Sequence, residues 1–337
     1  TADLDGDGDA DILSSTGSTV QWFRNDDGVF GAQNILSDDS EQLETVYAAD
    51  LDGDGDLDVI AGSSTYGDHE LRWYENINNQ GFGTPQLIDD SAAGLAFFSI
   101  STADMDGDGD LDVVTLQLFG NLHWYENDGD GNFAATVNVI ATETKRAYGM
   151  FVADIDGDGD MDVVHSDNDL DRVSWHENDG SGKNWTQHIL TTAVDRVTHV
   201  YVSDLDGDGD MDILSANYGD SNIGWYENFG NGEFSDPHLL HIGVSPQDVL
   251  AADVDGDGDQ DVISSAGYHI GWHENIGNGQ FGSWQIMYSE GHGILSPKEL
   301  SVLDFDGDGD TDVAVATWSN GSVILVESHV SEKRTVP

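Results

Sequence analysis

The 337-residue chain contains no cysteine, five prolines and ten basic residues against 66 acids. Without cysteine it can form no disulfide, no thiolate zinc site and no cysteine nucleophile. The shortage of Lys and Arg leaves a formal charge of −56, which repels phosphates and excludes nucleic acid as a partner. Anionic membrane surfaces are disfavoured on the same ground. No apolar run approaches the ~20 residues that cross a bilayer, so no membrane insertion is expected. No stretch keeps a 3.6-residue apolar period over three turns, which argues against long helices. No signal peptide opens the chain, and Thr1 in first place reads as a mature or trimmed form. Hydrophobic residues still make up 38%, enough to build a core, so the charge does not signal disorder.

What is abundant is repetition. The nonapeptide Asp-x-Asp-Gly-Asp-Gly-Asp-x-Asp occurs seven times, starting at Asp3, Asp50, Asp104, Asp154, Asp204, Asp253 and Asp304, at intervals of 47, 54, 50, 50, 49 and 51. The repeat units start near residues 1, 44, 97, 148, 198, 247 and 298 and account for residues 1–337 as one domain. In the second unit, Thr45-Val46-Tyr47-Ala48-Ala49 enters the acidic loop and Val59-Ile60-Ala61-Gly62 leaves it. Glu70 to Asn76 and Pro85-Gln86-Leu87-Ile88 follow, separated by a turn at Asn78, Asn79 and Gly81. Four short β-prone segments per unit are the makings of a propeller blade. The predicted fold is all-β: a seven-bladed β-propeller of four-stranded blades, with one acidic loop per blade between the first and second strands.

The third segment carries a tryptophan in six units, Trp22, Trp73, Trp124, Trp175, Trp225 and Trp272, and Leu325 in the seventh. Each stands two residues after an aliphatic residue and so shares its face of the strand. These tryptophans are expected to wedge between neighbouring blades. The residues that follow, Phe23, Tyr74, Tyr125, His176, Tyr226 and His273, point the other way.

Five carboxylates in one nine-residue turn repel each other unless a cation gathers them. Their spacing matches an oxygen cage for Ca²⁺. Side chains one, three and five converge, Gly at six allows the sharp turn, position seven offers its backbone carbonyl and Asp at nine closes the site. The candidate ligands are Asp3, Asp5, Asp7, Asp9 and Asp11 in loop 1, and Asp50, Asp52, Asp54, Asp56 and Asp58 in loop 2. Loop 3 has Asp104, Asp106, Asp108, Asp110 and Asp112, and loop 4 has Asp154, Asp156, Asp158, Asp160 and Asp162. Loop 5 has Asp204, Asp206, Asp208, Asp210 and Asp212, and loop 6 has Asp253, Asp255, Asp257, Asp259 and Asp261. Asp304, Asp306, Asp308, Asp310 and Asp312 complete loop 7. Mg²⁺ prefers a smaller octahedron, and soft metals want other ligands. Seven structural Ca²⁺ sites are expected.

The acidic nonapeptide, followed by Trp73-Tyr74-Glu75-Asn76 and by runs such as Gly277-Asn278-Gly279-Gln280-Phe281-Gly282, resembles the FG-GAP/VCBS repeat. That repeat builds integrin α-chain propellers and many secreted bacterial and fungal proteins. The resemblance implies a calcium-binding, extracellular propeller used in adhesion or glycan recognition. Relatives with similar loops include lectins and eight-bladed rhamnogalacturonan lyases, so the family speaks to fold and metal more than to function. An extracellular location also follows from calcium itself, since such modules bind it at ~10⁻⁴–10⁻³ M.

The face opposite the acidic loops is the expected ligand face. It gathers Tyr66, Phe119, Tyr218, Tyr268, His269 and Trp318 in one set of loops, and Lys145, Arg146, Arg196 and Lys298 in another, with Arg172 beside them. Aromatic rings and cations together suit an acidic or hydroxyl-rich glycan. There is no His-Glu-x-x-His, no Gly-x-Ser-x-Gly and no Walker loop, since Gly180-Ser181-Gly182-Lys183 lacks the spacing. The reading is therefore a non-enzymatic recognition or adhesion module for glycan or protein. A structural subunit that self-associates into a filament is one alternative, and a polysaccharide lyase is another. The sequons at Asn184 and Asn320 are compatible with surface glycosylation. Blade 1 is preceded only by Thr1-Ala2 and lacks an inner strand, giving 27 strands. Upstream residues, the tail Ser328–Pro337 bending back, or another molecule would fill the gap.

Overall fold

The computed structural model describes residues 1–17, 19–37, 43–63, 70–90, 96–117, 121–142, 144–289, 297–317, 323–327 and 333–335. Seven antiparallel sheets form the blades of a seven-bladed β-propeller. Blade 1 comprises β1 (Ile12–Thr16), β2 (Thr19–Phe23) and β3 (Gln33–Ser37). Blade 2 comprises β4 (Leu43–Ala49), β5 (Asp58–Ser63), β6 (Leu71–Tyr74) and β7 (Gln86–Asp89). Blade 3 comprises β8 (Phe97–Ala103), β9 (Asp112–Gln117), β10 (Asn121–Tyr125) and β11 (Asn138–Thr142). Blade 4 comprises β12 (Met150–Ala153), β13 (Asp162–Asp167), β14 (Arg172–Asn178) and β15 (Trp185–Thr191). Blade 5 comprises β16 (Val197–Ser203), β17 (Asp212–Asn217), β18 (Asn222–Tyr226) and β19 (His238–His241). Blade 6 comprises β20 (Pro246–Ala252), β21 (Asp261–Ala266), β22 (His269–His273) and β23 (Gln285–Ser289). Blade 7 comprises β24 (Pro297–Leu303), β25 (Asp312–Thr317), β26 (Val323–Val326) and β27 (Lys333–Thr335). The described residues hold one short 3₁₀ turn, Asn168–Leu170, and no other helix.

The strands gather into two compact units. The first is Thr1–Tyr148 with Asn178–Thr186, and the second is Gly149–Glu177 with Gln187–Pro337. In both, second strands of the blades are among the most enclosed, with β1 of blade 1 the exception. β5 and β9 in the first unit, and β13, β17 and β21 in the second, are buried at every residue. A strand covered on both faces has no reason to alternate, which is why runs such as Asp-Val-Ile-Ala-Gly-Ser read as continuous small and apolar residues.

The tryptophans do wedge between blades. In the first unit Trp73 lies against Gly131 and Trp124 against Gly182, and in the second Trp175 meets Gly232 and Trp225 meets Gly279. Each of these glycines has a φ between +64° and +72°, and a Cβ there would sit within 2.6 Å of the indole. The residues after the tryptophans, Phe23, Tyr74, Tyr125, His176, Tyr226 and His273, are all buried.

A register shift recurs near the start of the inner strand. It lies between Leu43 and Thr45, Phe97 and Ser99, Val197 and His199, Pro246 and Asp248, and Pro297 and Glu299. One extra residue per strand bends it and re-aims the side chain that follows. In blade 1 Ala2 alone bridges Asp11 at the inner-strand position, so the sheet has three strands and the described total is 27. Of the tail, the described residues are Lys333–Thr335. β27 pairs with β26 as the fourth strand of blade 7.

Candidate metal centre and recognition surface

The acidic loops are built on one hydrogen-bond plan. In all seven, Oδ2 of the first Asp accepts the backbone N–H of the Gly at position six at 3.0 Å. Oδ1 of the fifth-position Asp accepts the N–H of position seven at 2.9–3.1 Å. Glycine is required at two places in each turn. Position four has φ between +72° and +79° and position six between +94° and +101°, conformations that side chains resist.

The ninth Asp is the keystone of each loop. Its Oδ2 accepts the N–H of position two, at 2.8–3.1 Å in all seven loops. Its Oδ1 accepts the N–H of Asn25, Asn76, Asn127, Asn228 or Asn275, the asparagine just past the third strand. Four of those asparagines then reach the previous blade. Nδ2 of Asn76 donates to Leu4 O and that of Asn127 to Leu51 O, and in the second unit Asn228 donates to Ile155 O and Asn275 to Leu205 O, at 2.7–2.9 Å. Asn178 does the same to Met105 O at 2.9 Å within the first unit. The loop is thus tied both to its own blade and to the next.

The structure brings one carboxylate oxygen from each of positions one, three and nine within 4.8 Å of one another in loops 1, 2, 4 and 5. In loop 3 the group so formed is Asp104, Asp106 and Asp108. In loops 1 and 2 the seventh-position side chains have other partners, Asp9 accepting the Asp27 N–H and Asp56 accepting the Asn79 amide. Burial pushes the ninth carboxylates up despite their N–H partners, Asp58, Asp112 and Asp212 to about 7 and Asp11 and Asp261 to about 6. Burial and then neighbouring carboxylates also raise Asp106, Asp156 and Asp206. Asp50 Oδ1 and Asp106 Oδ1 are buried without a hydrogen-bond partner. Convergent oxygens of this kind, short of donors, fit a hard divalent cation.

Of the opposite-face residues, Tyr66, Phe119 and Trp318 lie outside the described residues, as does the side chain of Lys298. In the first unit Lys145 and Arg146 are exposed, and Arg146 is left-handed with φ +47°. The second unit holds the rest. Arg172 is bound through Nε (3.1 Å) and Nη2 (2.9 Å) to Asp167, whose side chain is fully buried. Its guanidinium thus compensates a buried carboxylate, a role that sequence alone did not suggest.

Arg196 is presented differently. Its backbone is left-handed at φ +51°, held by its N–H on Asp171 (2.9 Å) and by the Tyr218 N–H on its carbonyl (3.1 Å). Its guanidinium lies 4.9 Å over the Tyr218 ring, and its side chain is 55% exposed. Its Nε lies 3.5 Å from Asp195 Oδ1, and Asp220 accepts the Asp195 N–H at 2.8 Å. Tyr268 is exposed on a tight turn, next to His269, whose ring meets Trp284 edge-on.

Two histidine pairs were not foreseen. His165 and His176 stack with Nε2 atoms 3.2 Å apart, and burial pushes them down to about 3 and about 4. His199 Nδ1 lies 2.7 Å from Asp248 Oδ1, and Asp248 also accepts the Val249 and Leu300 N–H groups. Burial opposes charge on His199, but Asp248 outweighs it and raises the imidazole above its usual range. Both partners follow the inner-strand register shifts, so topology creates the pair.

No curated protein matches the chain in sequence. Solved structures share its fold at low identity. An Agrocybe aegerita lectin, described as recognising non-reducing terminal N-acetylglucosamine, is 19% identical at a TM-score of 0.70 over 97% of this chain and 90% of its own. The BBS1N chain in complex with ARL6DN is 10% identical at 0.65, over 98% and 91%. A protein of unknown function from Desulfotomaculum acetoxidans is 12% identical at 0.62, over 96% and 98%. The FG-GAP-like repeat matches residues 3–61, 58–115, 104–165, 163–215, 204–264 and 253–315. The chain belongs to the FG-GAP-like repeat family.

Proposed function

We propose that this propeller is a non-enzymatic recognition module of the extracellular space, held rigid by calcium in its acidic loops, that binds an acidic or hydroxyl-rich glycan. The observation that carries the reading is the Arg196–Tyr218 platform. On a chain of net charge −56, a half-exposed guanidinium is held over an aromatic ring by a strained, pinned backbone. Such a pair offers charge-assisted hydrogen bonds to a carboxylate and an apolar face to a sugar ring. A lectin among the chains of similar fold supports a glycan as the class of partner. Calcium follows from the oxygen-only donor set, and an extracellular location from the millimolar supply that such sites need.

Glycan-array binding in calcium, comparing the wild type with an Arg196→Glu, Tyr218→Ala double variant, tests this. Selective binding that the variant loses is expected. Binding retained by the variant would remove this platform from the proposal, and a wild type blind to all glycans would turn the search to protein partners.

A further inference from the structure

Blade 1 departs from every other blade at one position beside its acidic loop. Two residues past the third-strand tryptophan, or past Leu325 in blade 7, six blades carry an acid: Glu75, Glu126, Glu177, Glu227, Glu274 and Glu327. Blade 1 carries Arg24. The glutamates face their loops closely enough that Glu75, Glu126, Glu177 and Glu227 each act on the third-position carboxylate, Asp52, Asp106, Asp156 and Asp206 respectively. In those blades the position adds negative charge where the loop already has an excess.

In blade 1 it does the reverse. Arg24 Nη1 lies 3.0 Å from Asp5 Oδ2 and Nη2 lies 2.8 Å from Asp7 Oδ2, so one guanidinium spans the carboxylates of positions three and five. Asp26 adds to the field on Arg24. The loop backbone is otherwise the one seen in the other blades, with Gly8 N–H on Asp3, Asp9 N–H on Asp7 and Leu4 N–H on Asp11. Asp3, Asp5 and Asp11 still converge. The difference therefore lies in the side chain laid across the loop, not in the loop's own fold.

We propose that Arg24 is the resident cation of loop 1, so that the chain has six divalent-cation sites, in blades 2 to 7, and one loop closed by its own guanidinium. This rests on the calcium reading above. A divalent ion entering loop 1 would have to displace Arg24 from both carboxylates and would meet its positive charge at the site, whereas in blades 2 to 5 it meets a glutamate. Loop 1 would also keep its fold when metal is withdrawn, because the charge of its third- and fifth-position carboxylates is partly compensated within the chain.

Equilibrium dialysis with radioactive calcium counts the sites directly. Six ions per wild-type chain and seven per Arg24→Glu chain are expected. Seven in the wild type, or equal counts in the two proteins, would overturn the proposal. Absence of uptake by either would overturn the calcium reading and the site count with it. A second measurement does not depend on loading. In chelator, amide exchange at Gly6 and Gly8 should be slower than at Gly53 and Gly55, and Arg24→Gln should abolish that protection in loop 1 alone. Equal exchange in the two wild-type loops, or protection that survives Arg24→Gln, would show that Arg24 does not close the loop.

Discussion

A single buried carboxylate at the end of each acidic loop does two jobs that its neighbours do not. Asp112 accepts the N–H groups of Met105 and Asn127 while facing the loop's other acids. Asp112→Asn replaces one acceptor with an amide donor facing a backbone N–H. It should cost about 1–3 kcal/mol in urea unfolding, against about 0.5 or less for exposed Asp130→Asn. The histidines give a second residue-scale prediction. By NMR titration, near pH 5, His199 should be charged and both His165 and His176 neutral, because Asp248 holds one proton on and burial keeps the others off. The unfolded chain would charge His165 and His176 below about 6.5, so this pair subtracts stability as pH falls through that range. None of these roles was legible in the sequence. The ninth Asp read as one more ligand, and Arg172 read as a ligand-face cation although it neutralises Asp167. Arg24 breaks the run of glutamates in the repeat, an exception the sequence reading passed over and one to which only its distance to Asp5 and Asp7 gives a meaning.

At the scale of elements, the blades are joined by a tryptophan that fits a glycine and by an asparagine that reaches a carbonyl. In the first unit Trp124 Nε1 donates to Gly182 O at 2.8 Å, and a Cβ on Gly182 would lie 2.5 Å from its ring and 3.0 Å from Met105 O. Gly182→Ala, strained also by φ +65°, should cost about 2–4 kcal/mol, measured by denaturant unfolding. Gly31→Ala, whose Cβ would meet nothing closer than 3.6 Å, is the control and should be near neutral. Asn127→Ala removes the bonds to Leu51 O and Leu111 O and should cost about 1–3 kcal/mol, because both carbonyls are then left short of a donor. The strands and the tryptophan positions could be read in advance, since period-two patterning and turn residues are local signals. The inner-strand register shifts could not, because an inserted residue looks like any other until its partner strand is in place.

For the whole molecule, the acidic loops tie stability to pH in opposite senses with and without metal. Asp11, Asp58, Asp112, Asp212 and Asp261 hold protons in the folded chain that the unfolded chain has already lost above its ordinary carboxylate pKa. Folded pKa values of about 6 to 7 therefore make metal-free stability fall as pH rises through that window. Bound calcium demands deprotonated ligands, so the loaded protein should lose stability as pH falls instead. Melting temperature in chelator should be higher near pH 5 than near pH 7.5, the five raised carboxylates outweighing the two neutral-held imidazoles, and millimolar calcium should reverse the order. The same order with and without calcium would mean that the loops do not hold it.

Local sequence order is enough to set the seven-bladed architecture and the carboxylate content of the loops. Seven spaced repeats dictate seven blades, and glycine, aspartate and tryptophan in fixed local order dictate turns, charge and wedges, because each of these depends on neighbours a few residues away. How those parts are used depends on packing. It set Arg24 across loop 1, locked Arg172 onto Asp167, stood Arg196 over Tyr218 and joined His199 to Asp248. Each of those outcomes turns on distances between residues from different strands or loops, and only the packing of those elements against one another sets them.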